Sequence, residues 1–232
     1  MSAPYKEESV CIPLINGHEL HALLAMPVNA TRVIVLADGE RRTLQSRAFG
    51  WLATNLNEAG LGTLLLDLLT PDEAQNPETA ATVLGNLATL AGRFGTATRY
   101  LTQRFKEQHL TIGYCASGAA SAAALSSSLA HYFDVRLVVS LEGLPHLARH
   151  DLEDVSAATL LVAPGDHAGM MQSNRTAFAS LNCAKKLAVV SGASRLLEEE
   201  RPLRAVADVT RRWLERQVTR AERSPLANDS YG

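Results

Sequence analysis

The chain has little cysteine, little excess charge and no long apolar run, and each shortage removes a class of protein. Its three cysteines, Cys11, Cys115 and Cys183, are odd in number and show no CxxC spacing, which argues against a disulfide scaffold and against a compact thiolate zinc site. Lysine plus arginine (22) nearly balances aspartate plus glutamate (24), and no basic cluster is interleaved with aromatics, so nothing selects a nucleic acid. No continuous apolar stretch is long enough to span a bilayer, and Met1 to Ser9 lacks the basic region and apolar core of a signal peptide. A cytoplasmic protein with no membrane or nucleic-acid partner is expected. Histidine is also missing everywhere beyond residue 167, which limits where an imidazole base can sit.

What remains is a globular composition. Hydrophobic residues make up 47% of the 232 and charged residues 20%, enough apolar matter for one sizeable core. A single domain is expected over residues 1–220, followed by a loose tail over 221–232. Residues 8 to 13 and 19 to 26 alternate as strands around Asn16-Gly17, the turn of an antiparallel hairpin. The runs Arg32 to Ala37, Gly62 to Leu66, 110 to 114, Val135 to Ser140, Thr159 to Ala163 and Leu187 to Val190 are short and apolar, as strands covered on both faces are. Helical periodicity falls between them: Ser46 to Ala59, mostly one long helix from about 79 to 107, then 118 to 130, Met170 to Leu181 and 202 to 220. Gly92 and Gly95 in the long helix are read as points of close packing on the sheet. The pattern predicts a three-layer α/β domain with a mostly parallel eight-stranded sheet and an N-terminal antiparallel hairpin.

Ligands bind such sheets beyond the C-terminal ends of the strands. The polar residues at those exits are Asp38, Glu40, Cys115, Glu142, Asp166, His167 and Arg195. Leu110 to Gly118 followed by the small-residue run Ala119 to Leu125 reads as a strand that turns abruptly into an Ala-rich helix. That geometry lifts one side chain above a sheet, and the expected side chain is Cys115.

Gly113-Tyr114-Cys115-Ala116-Ser117-Gly118 resembles the Gly-Tyr-Cys-x-Gly-Gly elbow of the dienelactone hydrolase family, within the α/β-hydrolase superfamily. The similarity runs from about residue 8 to residue 217. Asn57 to Gly60 with Thr63 to Thr70 also resembles the second strand-helix unit of a bacterial serine-hydrolase branch of that family. The resemblance implies an α/β-hydrolase fold with Cys115 as nucleophile. It also implies an acid loop at Gly165-Asp166-His167 and a base loop at Ser191-Gly192-Ala193-Ser194-Arg195. A related branch carries a Gly-x-Ser-x-Gly elbow slightly further along, which puts Ser117 or Gly118 at the nucleophile position and makes Ser117 the rival. Arg195 stands where the family has its histidine, and a guanidinium stays protonated near neutral pH, so the ordinary relay cannot be assembled from these positions.

Three readings are open. The first is an atypical hydrolase of a small ester or lactone using a Cys115-His167 dyad beside Asp166. Backbone N–H groups of Ala116 and of Gly39 or Glu40 would then form an oxyanion hole, and Arg195 would bind substrate or pair with Asp166 or Glu142. The second is a non-catalytic or vestigial hydrolase-fold protein that binds a ligand or partner. The third uses Asp38, Glu40 and Glu142 for carboxylate acid/base chemistry or, with His167, as metal ligands. A small-molecule substrate or ligand is expected, with no resident metal or cofactor, and a homodimer is compatible with the apolar sheet edge. His146 and His150 lie four apart near Asp151 and Asp154 but lack the glutamate placement of HExxH, and read as solvated. His18, His21, His109 and His131 are assigned no role.

Overall fold

The computed structural model describes residues 5–40, 42–108, 110–129 and 134–223. Two long strands open the chain, β1 (Tyr5–Pro13) and β2 (Glu19–Pro27), and pair antiparallel from Tyr5 opposite Pro27 to Pro13 opposite Glu19. Their turn contains Gly17 at φ 83°, a left-handed conformation that glycine adopts without a Cβ clash. Six further strands follow: β3 (Arg32–Ala37), β4 (Gly62–Leu66), β5 (Thr111–Ser117), β6 (Val135–Leu141), β7 (Ala158–Pro164) and β8 (Lys185–Val190). The sheet order is β1-β2-β4-β3-β5-β6-β7-β8, with β2 antiparallel to β4 and every pairing from β4 to β8 parallel. This is the expected mostly parallel sheet with an antiparallel hairpin at one edge.

Helices α1 (Arg47–Glu58), α2 (Pro71–Gln75), α3 (Pro77–Leu84), α4 (Leu87–Arg104), α5 (Gly118–Ser127), α6 (Ala168–Ser180) and α7 (Glu200–Arg223) supply the outer layers. Phe49, Leu52 and Leu56 of α1 pack with Val206, Trp213 and Leu214 of α7 on one face of the sheet. Leu90, Phe94 and Leu101 of α4 pack with the alanines of α5 and with Ala177 of α6 on the other. Helix α5 has no polar stripe because it has no wet side: its residues 122 to 125 are fully buried, and alanine lets its backbone lie close to the neighbouring layer. Among the described residues, no helix is long and apolar enough to cross a membrane.

The single long helix expected from about 79 to 107 is instead α3 and α4, preceded by the short α2. Pro71 and Pro77 occupy first-turn positions, where a missing N–H leaves no intrahelical bond unmade. The Asn76 side chain accepts from the Glu78 and Thr79 amides, and that of Asn86 from the Thr89 amide, so each asparagine starts a helix where apolar periodicity alone runs through. The space a Cβ would occupy at Gly92 is open, which overturns the close-packing reading of that glycine. Helix α7 extends three residues into the tail expected from 221, and the remainder of that tail, with His109 and His131, lies outside the described residues.

Strand β5 determines the geometry of the site. It runs to Ser117, three residues beyond the expected end at 114, because Cys115, Ala116 and Ser117 stay in register with Val139, Ser140 and Leu141 of β6. Ile112, Tyr114 and Ala116 face the α4 and α5 side, where the Tyr114 hydroxyl lies 2.6 Å from Thr98 Oγ1 and its ring 4.8 Å from that of Phe94. Alternation sends Cys115 to the opposite face.

Candidate active-site cleft

The corner between β5 and α5 is turned by Gly118, at φ +52°. A left-handed residue between a strand and a buried helix is the backbone position that presents a nucleophile in this architecture. The residue standing there has no side chain. A Cβ built on Gly118 would lie 3.4 Å from Glu40 Cγ and 3.7 Å from Glu40 Oε1, so a neighbouring carboxylate overhangs the corner instead.

Cys115, expected at this corner, is inside the sheet. It is fully buried among apolar residues that include Leu36, Val139 and Leu160, and desolvation pushes its thiol far above the ordinary range. His167 is exposed at the start of α6, where its Nδ1 accepts from the Met170 amide at 3.2 Å, so it caps a helix. A buried thiol and an exposed capping imidazole do not form the expected dyad. Asp166 is exposed beside it, tied through its amide to the Ala193 carbonyl at 3.0 Å. The amide of Ala116 belongs to a strand residue paired on both sides, so its proposed oxyanion role has no access to a ligand.

Ser117 does reach the corner. It is 3% exposed, its hydroxyl donates to Asp38 Oδ1 at 3.1 Å and accepts from the Gly39 amide at 3.3 Å. The loop leaving β3 is held to the same place: the Glu40 amide donates to Asp38 Oδ1 at 2.9 Å, and the Asp38 amide donates to Thr43 Oγ1 at 2.9 Å. Gly39 sits so close to α5 that an added Cβ would lie 2.5 Å from the Ala120 nitrogen and 2.5 Å from the Ser117 carbonyl oxygen. Both loop amides that face the corner are thereby engaged by side chains of the loop and the elbow.

Above the corner, Arg195 gathers three carboxylates. Its Nη2 lies 3.0 Å from Glu40 Oε2 and 3.2 Å from Glu198 Oε1, and its Nε lies 3.7 Å from Glu142 Oε2. Arg195 and Glu40 are partly exposed, whereas Glu142 is 5% exposed and accepts a hydrogen bond from the Leu196 amide. Burial raises the Glu142 carboxyl above its usual range, more than the Leu196 hydrogen bond and the Arg195 charge lower it, with the Glu40 and Glu198 charges adding to the rise. The Arg195 guanidinium keeps its charge: Glu40, Glu142 and Glu198 outweigh its desolvation.

These groups line one cleft of about 360 Å³, with Asp38, Glu40, Ser117, Glu142, Arg195 and Glu198 on its walls. The expected convergence of Asp38, Glu40 and Glu142 is therefore present, and of the two anionic partners expected for Arg195 it takes Glu142. Glu198 escaped the sequence reading because it lies in an irregular segment with no periodicity, its one signal being a place three residues after Arg195. His146 pairs with Ser173 Oγ at 2.8 Å and His150 accepts from Arg149 Nε at 3.1 Å, so these two exposed histidines do not share a site.

No family model matches the sequence. A dienelactone hydrolase of known structure from Anabaena variabilis is 32% identical, with a TM-score of 0.86, over 92% of this chain and 98% of that one. The Est1E protein of Butyrivibrio proteoclasticus shares the fold at 12% identity, with a TM-score of 0.75 over 91% of this chain and 99% of that one. Proteins of two Mycobacterium tuberculosis strains, named for phosphoribosyl transfer, are 34% identical over 214 residues, or 90% of this chain. The chain spans about half the length of these curated relatives, 46%. The extent and identity of the Anabaena match, with the elbow and sheet order above, place this chain in the dienelactone hydrolase family of α/β-hydrolases.

Proposed function

We propose that the cleft over Gly118 binds a small ester or lactone and hydrolyses it by direct attack of water, without an acyl-enzyme. The observation that carries this reading is the Glu40 carboxylate, whose Oε1 lies 3.7 Å from the Cβ position of a corner residue that has no side chain. Glu40 acts as base toward a water seated over Gly118. Arg195, 3.0 Å from the other Glu40 oxygen, orients that carboxylate and offers positive charge to the oxyanion. Glu142, whose burial favours its protonated form, gives its proton to the departing alkoxide. Water adds to the carbonyl as Glu40 takes its proton; the tetrahedral adduct then expels the alkoxide, leaving an acid and an alcohol, joined in one molecule when the substrate is a lactone. Cys115, Ser117 and His167 have no chemical part in this scheme.

Turnover of an activated aryl ester by the parent chain, by Glu40→Gln and by Glu142→Gln tests it. Each substitution should lower kcat/KM by about 10²-fold or more, the usual range for losing a general acid or base, with no burst of product at any enzyme concentration. Unchanged turnover in both variants would remove the carboxylate assignment.

A second reading, ligand binding without turnover, is favoured by the engaged amides of Gly39 and Glu40, which already donate to Ser117 Oγ and Asp38 Oδ1. Turnover by the parent no faster than buffer, together with a saturable rise in Tm with a lactone, would select it.

A further inference from the structure

The β1–β2 hairpin carries a second group of chemically active side chains, at the sheet edge with β4 and β3 between it and β5. Opposed residues of an antiparallel pair project from one face, and so do residues two apart along a strand. Cys11 lies opposite His21, and Glu19 precedes His21 by two. A thiol, a carboxylate and an imidazole therefore leave the same face at adjoining positions. Their ligand atoms all lie within 4.8 Å of one another, and His21 Nε2 is 3.4 Å from Glu19 Oε1. Cys11 and Glu19 are exposed and His21 is half-buried, so an ion can reach them.

The scaffold under this group is fixed. Val10, Ile12, Leu20 and Ala22 project from the opposite face into the core, and a slip of one residue would bury the polar set and expose the apolar one. The donors thus stand on a backbone whose register the core sets.

We propose that Cys11, Glu19 and His21 form a Zn²⁺ site with the fourth tetrahedral position open to solvent. Thiolate, imidazole and carboxylate are all established zinc donors, and their bond lengths place tetrahedral donors about 3.3–3.8 Å apart. Side-chain rotation closes the present spread of donors without moving the strands. Binding releases the Cys11 proton, and the ion balances the charges of the thiolate so formed and of Glu19. A hard cation such as Ca²⁺ or Mg²⁺ finds a single carboxylate here, short of the oxygen shell it requires.

Titration of the metal-free full chain with Co²⁺ reads the site optically through a thiolate-to-cobalt charge-transfer band and intense tetrahedral d–d bands, both removed by one equivalent of Zn²⁺. One ion per chain is expected. The charge-transfer band should vanish in Cys11→Ser and persist in Cys183→Ser. The Zn²⁺ affinity should fall by more than about 10-fold in His21→Ala and in Glu19→Gln, the lower end of what losing even an outer-shell partner costs. Parental urea midpoints in the presence of chelator establish that each variant is folded. A missing charge-transfer band in the parent, its persistence in Cys11→Ser, or parental Zn²⁺ affinity in the folded His21→Ala and Glu19→Gln chains overturns the proposal.

Discussion

Cys115 lies three residues before Gly118, and that interval carries the chain from the interior of β5 to the corner where φ reaches +52°. Position along the strand, and not residue type, separates a sealed thiol from an open site.

Timed alkylation of the native chain, read by mass spectrometry in the presence of chelator, should label Cys11 and Cys183 and leave Cys115 unmodified, because its thiol is both inaccessible and held protonated by burial. Labelling of Cys115 as fast as Cys183 would contradict the placement. Cys115→Ser puts a hydroxyl among apolar side chains and should lower stability by about 1–3 kcal/mol in urea unfolding, while Cys115→Ala should leave the proposed ester turnover unchanged.

Gly39→Ala should also be costly. The new Cβ would meet backbone atoms of Ser117 and Ala120 at 2.5 Å, and backbone cannot swing aside as a flexible side chain does. Overpacking of this kind costs about 1–3 kcal/mol, read as a lower urea midpoint. Gly50→Ala, where the same construction meets nothing, serves as the control.

The pH dependence of stability should carry the mark of Glu142. Burial raises its carboxyl in the folded chain, so between the unfolded value near 4.5 and the folded value the native state holds more protons than the unfolded one. Its contribution is complete below the unfolded value and is lost as pH rises through the folded one. Glu142→Gln removes that loss, so the variant should gain on the parent in urea midpoints as pH rises from the unfolded carboxyl value through the folded one. A constant difference across the range would contradict the linkage.

Glu73 acts with the opposite sign. Burial pushes its carboxyl up, but hydrogen bonds from Arg93 and Thr70 and the Arg93 charge together hold it below the usual range. Arg93, 6% exposed, reaches Glu73 with both terminal nitrogens, at 2.7 and 2.6 Å, and also donates to the Leu68 carbonyl. This pair stabilises the fold above the unfolded carboxyl value and weakens as pH falls through the folded one. Arg93→Met should cost about 1.5–3 kcal/mol at neutral pH, the range for hydrogen bonds to a charged group, because Glu73 is 20% exposed and water can reach it once its partner is gone. It should also flatten the acid side of the stability curve.

Much of the sheet was readable because strands covered on both faces are written as short apolar runs; Arg32–Ala37 and Gly62–Leu66 coincide with their strands. Cys115 to Ser117 was not, since cysteine, alanine and serine fit a turn as well as a strand, and pairing with β6 decides between them. The same gap explains the misplaced nucleophile. Asp38, Glu40, Glu142 and Arg195 were legible because each follows a strand and parallel strands end together. His167 read as a base, but a histidine at a helix start can serve its own backbone, and here it does. Cys11 and His21 lie ten residues apart, and only strand register makes them neighbours.

Glycine at 118 also changes what the corner does to the folded state. A residue with a side chain in that left-handed turn would carry roughly 1–2 kcal/mol of conformational strain; glycine carries almost none. Tension held against a reacting atom in a nucleophile-bearing turn is here relaxed, and that free energy remains with the native state. In the proposed scheme the chemistry rests on Glu40, Arg195 and Glu142 above this corner, and the backbone beneath them is left unstrained.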